Sequence, residues 1–137
     1  MQLTNYLIFN GKAEAAFRFY EQCLRGKIAM MMRFGEAPGC EHMPAETRDW
    51  LIHVRLEIGD QVLLGSDCPP DRPYGGITGC SVSIHVDTKA EGERIYNALK
   101  ENGTVQMPYE QTFWAARFAM LVDQFGVPWM INCEKDQ

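Results

Sequence analysis

Long apolar runs are missing from this chain. Nothing in its 137 residues approaches the roughly 20 consecutive apolar positions a membrane helix needs. A basic excess is missing too. Lys and Arg number 13 against 18 Asp and Glu, and the net charge of −5 argues against nucleic acid, where a basic face supplies most of the affinity. No C-x-x-C pair occurs among Cys23, Cys40, Cys68, Cys80 and Cys133, and their number is odd. That argues against a zinc knuckle and a disulfide framework and fits a reducing compartment. The start, Met1-Gln2-Leu3-Thr4-Asn5-Tyr6, has no basic segment ahead of an apolar one, so the expectation is a cytoplasmic protein without a secretory signal. Cys23, Cys80 and Cys133 fall within helix or strand patterns and are expected to be buried small apolar residues.

What is present is a repeated order of elements. Leu3 to Phe9 reads as a strand, with Asn10 as the N-cap of a helix carrying Ala13, Ala16, Phe17, Tyr20 and Leu24 on one face. Gly26 stands where a C′ glycine belongs, Lys27 to Phe34 is a second strand, and Gly35 to Asp49 is a loop. Trp50 to Ile58 alternates cleanly, with Ile52, Val54, Leu56 and Ile58 against Leu51, His53, Arg55 and Glu57. A Gly59-Asp60 turn returns the chain along Gln61 to Gly65.

The order then recurs. Cys80 to Val86 alternates, Thr88-Lys89-Ala90-Glu91 is a capping box, Gly103 is expected at C′ of the second helix, and Thr104 to Tyr109 is a strand. An aromatic hairpin closes the chain: Phe113 to Val122, a turn at Asp123–Gly126, then Val127 to Cys133. Such a recurrence points to two βαβββ modules, residues 1–66 and 80–137, joined by a connector at 67–79, within one α+β domain. One helix covers only one face of a four-stranded sheet, so the other face is left for a partner layer or a ligand. His53, Arg55, Ser81, Ser83 and His85 fall on that second face, and a cleft between the modules is the expected small-molecule site.

Several stretches resemble the PhnB-like branch of the vicinal-oxygen-chelate superfamily of glyoxalases, bleomycin-resistance proteins and dioxygenases. They are Phe9, Gly11, Glu14-Ala15 and Phe19-Tyr20 near the start, Gly65-Ser66-Asp67, Gln111-Thr112-Phe113-Trp114, and Asp123 with Phe125-Gly126-Val127-Pro128-Trp129-Met130-Ile131-Asn132. The resemblance implies a curved, mostly antiparallel eight-stranded sheet around a cleft, and a homodimer. Metal-dependent relatives hold a divalent ion with His or Glu from the first, fourth, fifth and eighth strands. The matching places here are Asn5, Leu64 or a neighbour, Ser81 and Met130, none a good ligand for a hard or borderline ion, so no metal and no cofactor are expected. PhnB-like members also carry a ubiquinone-methyltransferase label. No glycine-rich nucleotide-cofactor loop follows a strand here, and that label is discounted.

The ligand-pocket candidates are therefore Asn5, His53, Arg55, Ser81, Ser83, Gln111, Trp114 and Met130, with His53 the candidate catalytic acid or base. Trp129 is expected in the core, His42 and His85 in solvent, and Met30, Met31 and Met32 in a core or interface. Three functions follow. The first is a metal-free protein that binds a small organic molecule. The second is a lyase, isomerase or dioxygenase using His53 or a metal relocated to His53, Glu57 and His85. The third is a structural dimerisation domain with a closed cleft.

Overall fold

A computed structural model describes residues 1–40 and 42–137. Its elements run β1 (Tyr6–Phe9), α1 (Ala13–Cys23), β2 (Lys27–Arg33), β3 (Leu51–Ile58) and β4 (Gln61–Asp67). The same order returns as β5 (Val82–Val86), α2 (Lys89–Leu99), β6 (Thr104–Glu110), β7 (Arg117–Val122) and β8 (Pro128–Cys133). The chain divides into two compact units, Met1–Gly76 and Ile77–Gln137. Each holds one four-stranded mixed sheet, ordered β1-β4-β3-β2 and β5-β8-β7-β6, with a parallel pair, β1/β4 or β5/β8, at the same place. No helix among the described residues is long and apolar enough to cross a membrane.

Each core lies between a helix and its sheet. In the first unit Ala13, Ala16, Phe17 and Tyr20 of α1 are buried with Leu7, Phe9, Val54 and Leu56 from the strands. Phe17 meets Phe9 and Tyr20 edge to face, with centroids 6.2 and 5.7 Å apart. In the second, Ile95, Tyr96 and Leu99 of α2 are buried with Leu121, Trp129 and Ile131. Cys23 and Cys133 are buried as expected, but Cys80 is exposed, because β5 begins only at Val82 and Cys80 precedes it.

Several element ends differ from the sequence reading. β1 starts at Tyr6, not Leu3, because its pairing to β4 begins there. The 35–49 segment is not wholly irregular: short 3₁₀ turns occupy Phe34–Glu36 and Ala45–Thr47. Glu41 in that segment lies outside the described residues. Leu51 does not share the exposure of His53; it is fully buried. β2 pairs Met32 with His53 but Arg33 with Leu51, an irregularity that gives β3 one extra residue and breaks the alternation there.

Asn10 does not cap α1. The N-cap position is Lys12, without a side-chain cap. A distant carboxylate does the work: buried Asp67 accepts Gly11 N–H (2.8 Å) and Ala13 N–H (3.0 Å) on one oxygen and Leu51 N–H (2.9 Å) on the other. The helix start, the end of β4 and the start of β3 are thereby tied to one side chain. The second helix follows its capping-box signal, with Thr88 Oγ1 accepting Glu91 N–H at 3.2 Å.

Candidate functional site

A concavity of the second unit arises where strand chemistry gives out. The apolar stretch from Phe113 was expected to be strand throughout, yet β7 begins only at Arg117. Thr112 folds the connection back on itself: its N–H donates to Ala115 O and its hydroxyl accepts Ala115 N–H, both at 3.1 Å. Phe113 and Trp114 are thrown outwards, 97% and 49% exposed. The result is a hollow of about 330 Å³ lined by residues 111–117, Glu134 and Asp136.

The two acids reach it through pairing. β7 and β8 place Arg117 opposite Cys133, so the residues just after β8 lie beside those just before β7. Lys89 holds this tail down, its ammonium 2.6 Å from Asp136 and its N–H donating to Gln137 O at 2.6 Å. The Lys89 contact pulls the Asp136 carboxyl below its ordinary range. Trp114 makes T-shaped contacts with Phe113 (4.8 Å) and Phe118 (5.2 Å) and remains half exposed.

The remaining sequence-based candidates lie elsewhere. His53 sits on β3 with Nδ1 3.1 Å from the Tyr6 hydroxyl, and the two rings stack at 5.8 Å. Arg55 is engaged by Glu57 at 3.0 Å. Asn5 is exposed before β1, its carbonyl accepting Leu64 N–H at 3.2 Å. Ser81 precedes β5, and Ser83 is in register with Met130, which in turn faces Met120. Ser83 Oγ is 3.3 Å from His85 Nε2, and His85 Nδ1 is 3.4 Å from the Asn132 amide nitrogen. Of the eight candidates, Gln111 and Trp114 line the hollow. Arg117, Glu134 and Asp136 were missed. No local signal marks them, because only the β7/β8 register joins the two stretches.

The metal places carry an amide, an aliphatic, a hydroxyl and a thioether, a donor set unfit for a hard divalent ion. Among the described residues no three His, Cys, Asp or Glu side chains group as a metal site.

The C-terminal signature also resolves into scaffold. Buried Asp123 accepts Phe125 N–H (2.8 Å), Val127 N–H (3.1 Å) and Trp129 Nε1–H (2.8 Å), holding the β7–β8 turn around a core indole. Comparison with known sequences agrees: the family described as 3-demethylubiquinone-9 3-methyltransferase matches residues 1–132. The chain belongs to this PhnB-like family. Protein YjdN of Escherichia coli K12 is 33% identical over 147 residues, spanning 100% of this chain and 98% of YjdN. The crystal structure of PA1353 from Pseudomonas aeruginosa is similar at a TM-score of 0.91, with 51% identity over 99% of each chain. Two more distant structures speak for the fold alone. The PhnB protein of Bacillus cereus has 22% identity and a TM-score of 0.81, covering 97% of this chain and 99% of its own. A glyoxalase/bleomycin resistance protein/dioxygenase family enzyme of Burkholderia phytofirmans has 15% identity and a TM-score of 0.64, covering 96% and 97%. This PhnB-like chain thus has the glyoxalase-type architecture.

Proposed function

We propose that this PhnB-like protein binds a small organic molecule, and that the hollow at residues 111–117 receives it. The observation that carries this reading is the half-exposed Trp114 on the wall of a concavity of about 330 Å³, within the size range of small-molecule sites. A tryptophan left open beside Gln111 costs solvation that a flat ligand would recover. The helix start after β1 supports binding over methyl transfer. Two of its amides, at Gly11 and Ala13, are already taken by Asp67 and are not free for a cofactor's polar groups. A screen of small organic molecules against ¹⁵N-labelled protein tests the reading, with the Trp114 indole N–H as reporter. Hits that move this resonance and lose affinity in Trp114→Ala are expected. Hits confined to other residues would overturn it.

A second reading has its own observation, the Tyr6–His53 contact, which presents an imidazole hydrogen-bonded to a phenol as a general acid or base. If it operates, a bound molecule is converted by the wild type while His53→Gln binds it without conversion. A homodimer, implied by the family resemblance, is checked by sedimentation velocity.

A further inference from the structure

We infer that the hollow selects a zwitterionic molecule carrying an apolar or aromatic group, with its carboxylate on Arg117 and its ammonium on Glu134. This rests on the hollow being the binding site, and it adds the ligand's chemical class. Three charged side chains line the concavity. Asp136 is engaged by Lys89. Arg117 and Glu134 form no close ion pair among the described residues, with each other or with any other group, although the Arg117 charge also acts on Asp136 from further off.

An unpaired carboxylate on a surface is ordinary. A half-buried guanidinium is different, since lost hydration must be replaced. Arg117 donates Nη1–H to Ala116 O at 2.7 Å, and its side chain makes no other hydrogen bond among the described residues, although a guanidinium carries five donors in a planar fork. That fork suits a carboxylate held by two parallel bonds. Glu134 follows Cys133, the residue paired to Arg117, and both charges line the hollow. The half-exposed Trp114 completes the set, as a surface for an apolar group or for the ammonium. A simple anion would leave Glu134 repelling it. A simple cation would leave Arg117 unsatisfied.

The test uses the full chain and three matched probes: phenylalanine, phenylacetate and phenethylamine. Each is titrated into ¹⁵N-labelled protein while the Trp114 indole resonance, assigned with Trp114→Phe, is followed. Phenylalanine is expected to bind about tenfold or more tighter than either analogue, the size of one charge-assisted contact. Arg117→Gln should bring phenylalanine down to phenethylamine, and Glu134→Gln should bring it down to phenylacetate. Should Arg117→Gln fail to fold, Arg117→Lys and the exposed Glu134→Gln decide the matter. A singly charged probe that shifts Trp114 with equal affinity overturns the charge assignment and leaves the hollow standing. No Trp114 shift with any of the three also overturns the assignment, and the broader screen then judges the hollow separately.

Discussion

A few carboxylates hold this protein's turns and helix start in place. Asp67 and Asp123 each collect three N–H groups, and replacing either by Asn puts an amide donor where an acceptor is needed. Asp67→Asn should lower unfolding free energy by about 2–3 kcal/mol, measured by urea denaturation, with a similar loss for Asp123→Asn. Glu14 acts on the surface. A hydrogen bond from Arg33, then one from Arg18, holds its carboxyl down to about 2 from an ordinary 4.5, against the opposing effect of burial. A depressed value means the stabilisation is present above pH 4.5 and is lost as pH falls towards 2. The side chain is 35% exposed, so screening reduces the effect well below what the shift alone suggests. Glu14→Gln should cost on the order of 1 kcal/mol at pH 7, and the difference from wild type should close across that window. Sequence placed a turn at Asp123 but could not assign the role of Asp67. The Asp123 bonds to Phe125, Val127 and Trp129 reach at most 6 positions along the chain, whereas the partners of Asp67 lie 16 to 56 positions away.

At the scale of elements, the two modules repeat a backbone device that the sequence only half disclosed. Gly26 and Gly103 were expected to supply the left-handed residue after each helix. Instead Arg25 (φ 53°) and Asn102 (φ 58°) adopt it, and the glycines follow. Each glycine is there for closeness: an added Cβ would lie 2.7 Å from Glu57 O at Gly26 and 2.5 Å from Val122 O at Gly103. The contacted strands, β3 and β7, occupy the same place in their sheets. Gly26→Ala and Gly103→Ala should each lower stability by about 1–3 kcal/mol through overpacking. Gly75→Ala, with nothing within 4 Å, should change it little. Arg25→Gly should leave stability unchanged or raise it slightly, since glycine enters that backbone region freely. Helix faces and strand alternation were legible because they depend on local periodicity. Strand ends at Leu51 and Arg117 were not, because they are decided by the partner strand's register.

For the whole molecule, the donor set predicts that protein purified without chelator carries no stoichiometric divalent ion, and that His53→Ala leaves metal content unchanged. Elemental analysis checks both, and an ion lost with His53 would overturn the expectation. By itself the sequence determined the element order, the duplication, the family and the unsuitability of the metal places. Each is carried by residue type and short-range spacing. Only tertiary structure decided that Asp67 is scaffold, that β7 begins at Arg117, and that Arg117 meets Glu134 and Asp136 at one hollow. Those outcomes depend on which backbone groups pair across long stretches of chain, and no local pattern encodes that choice.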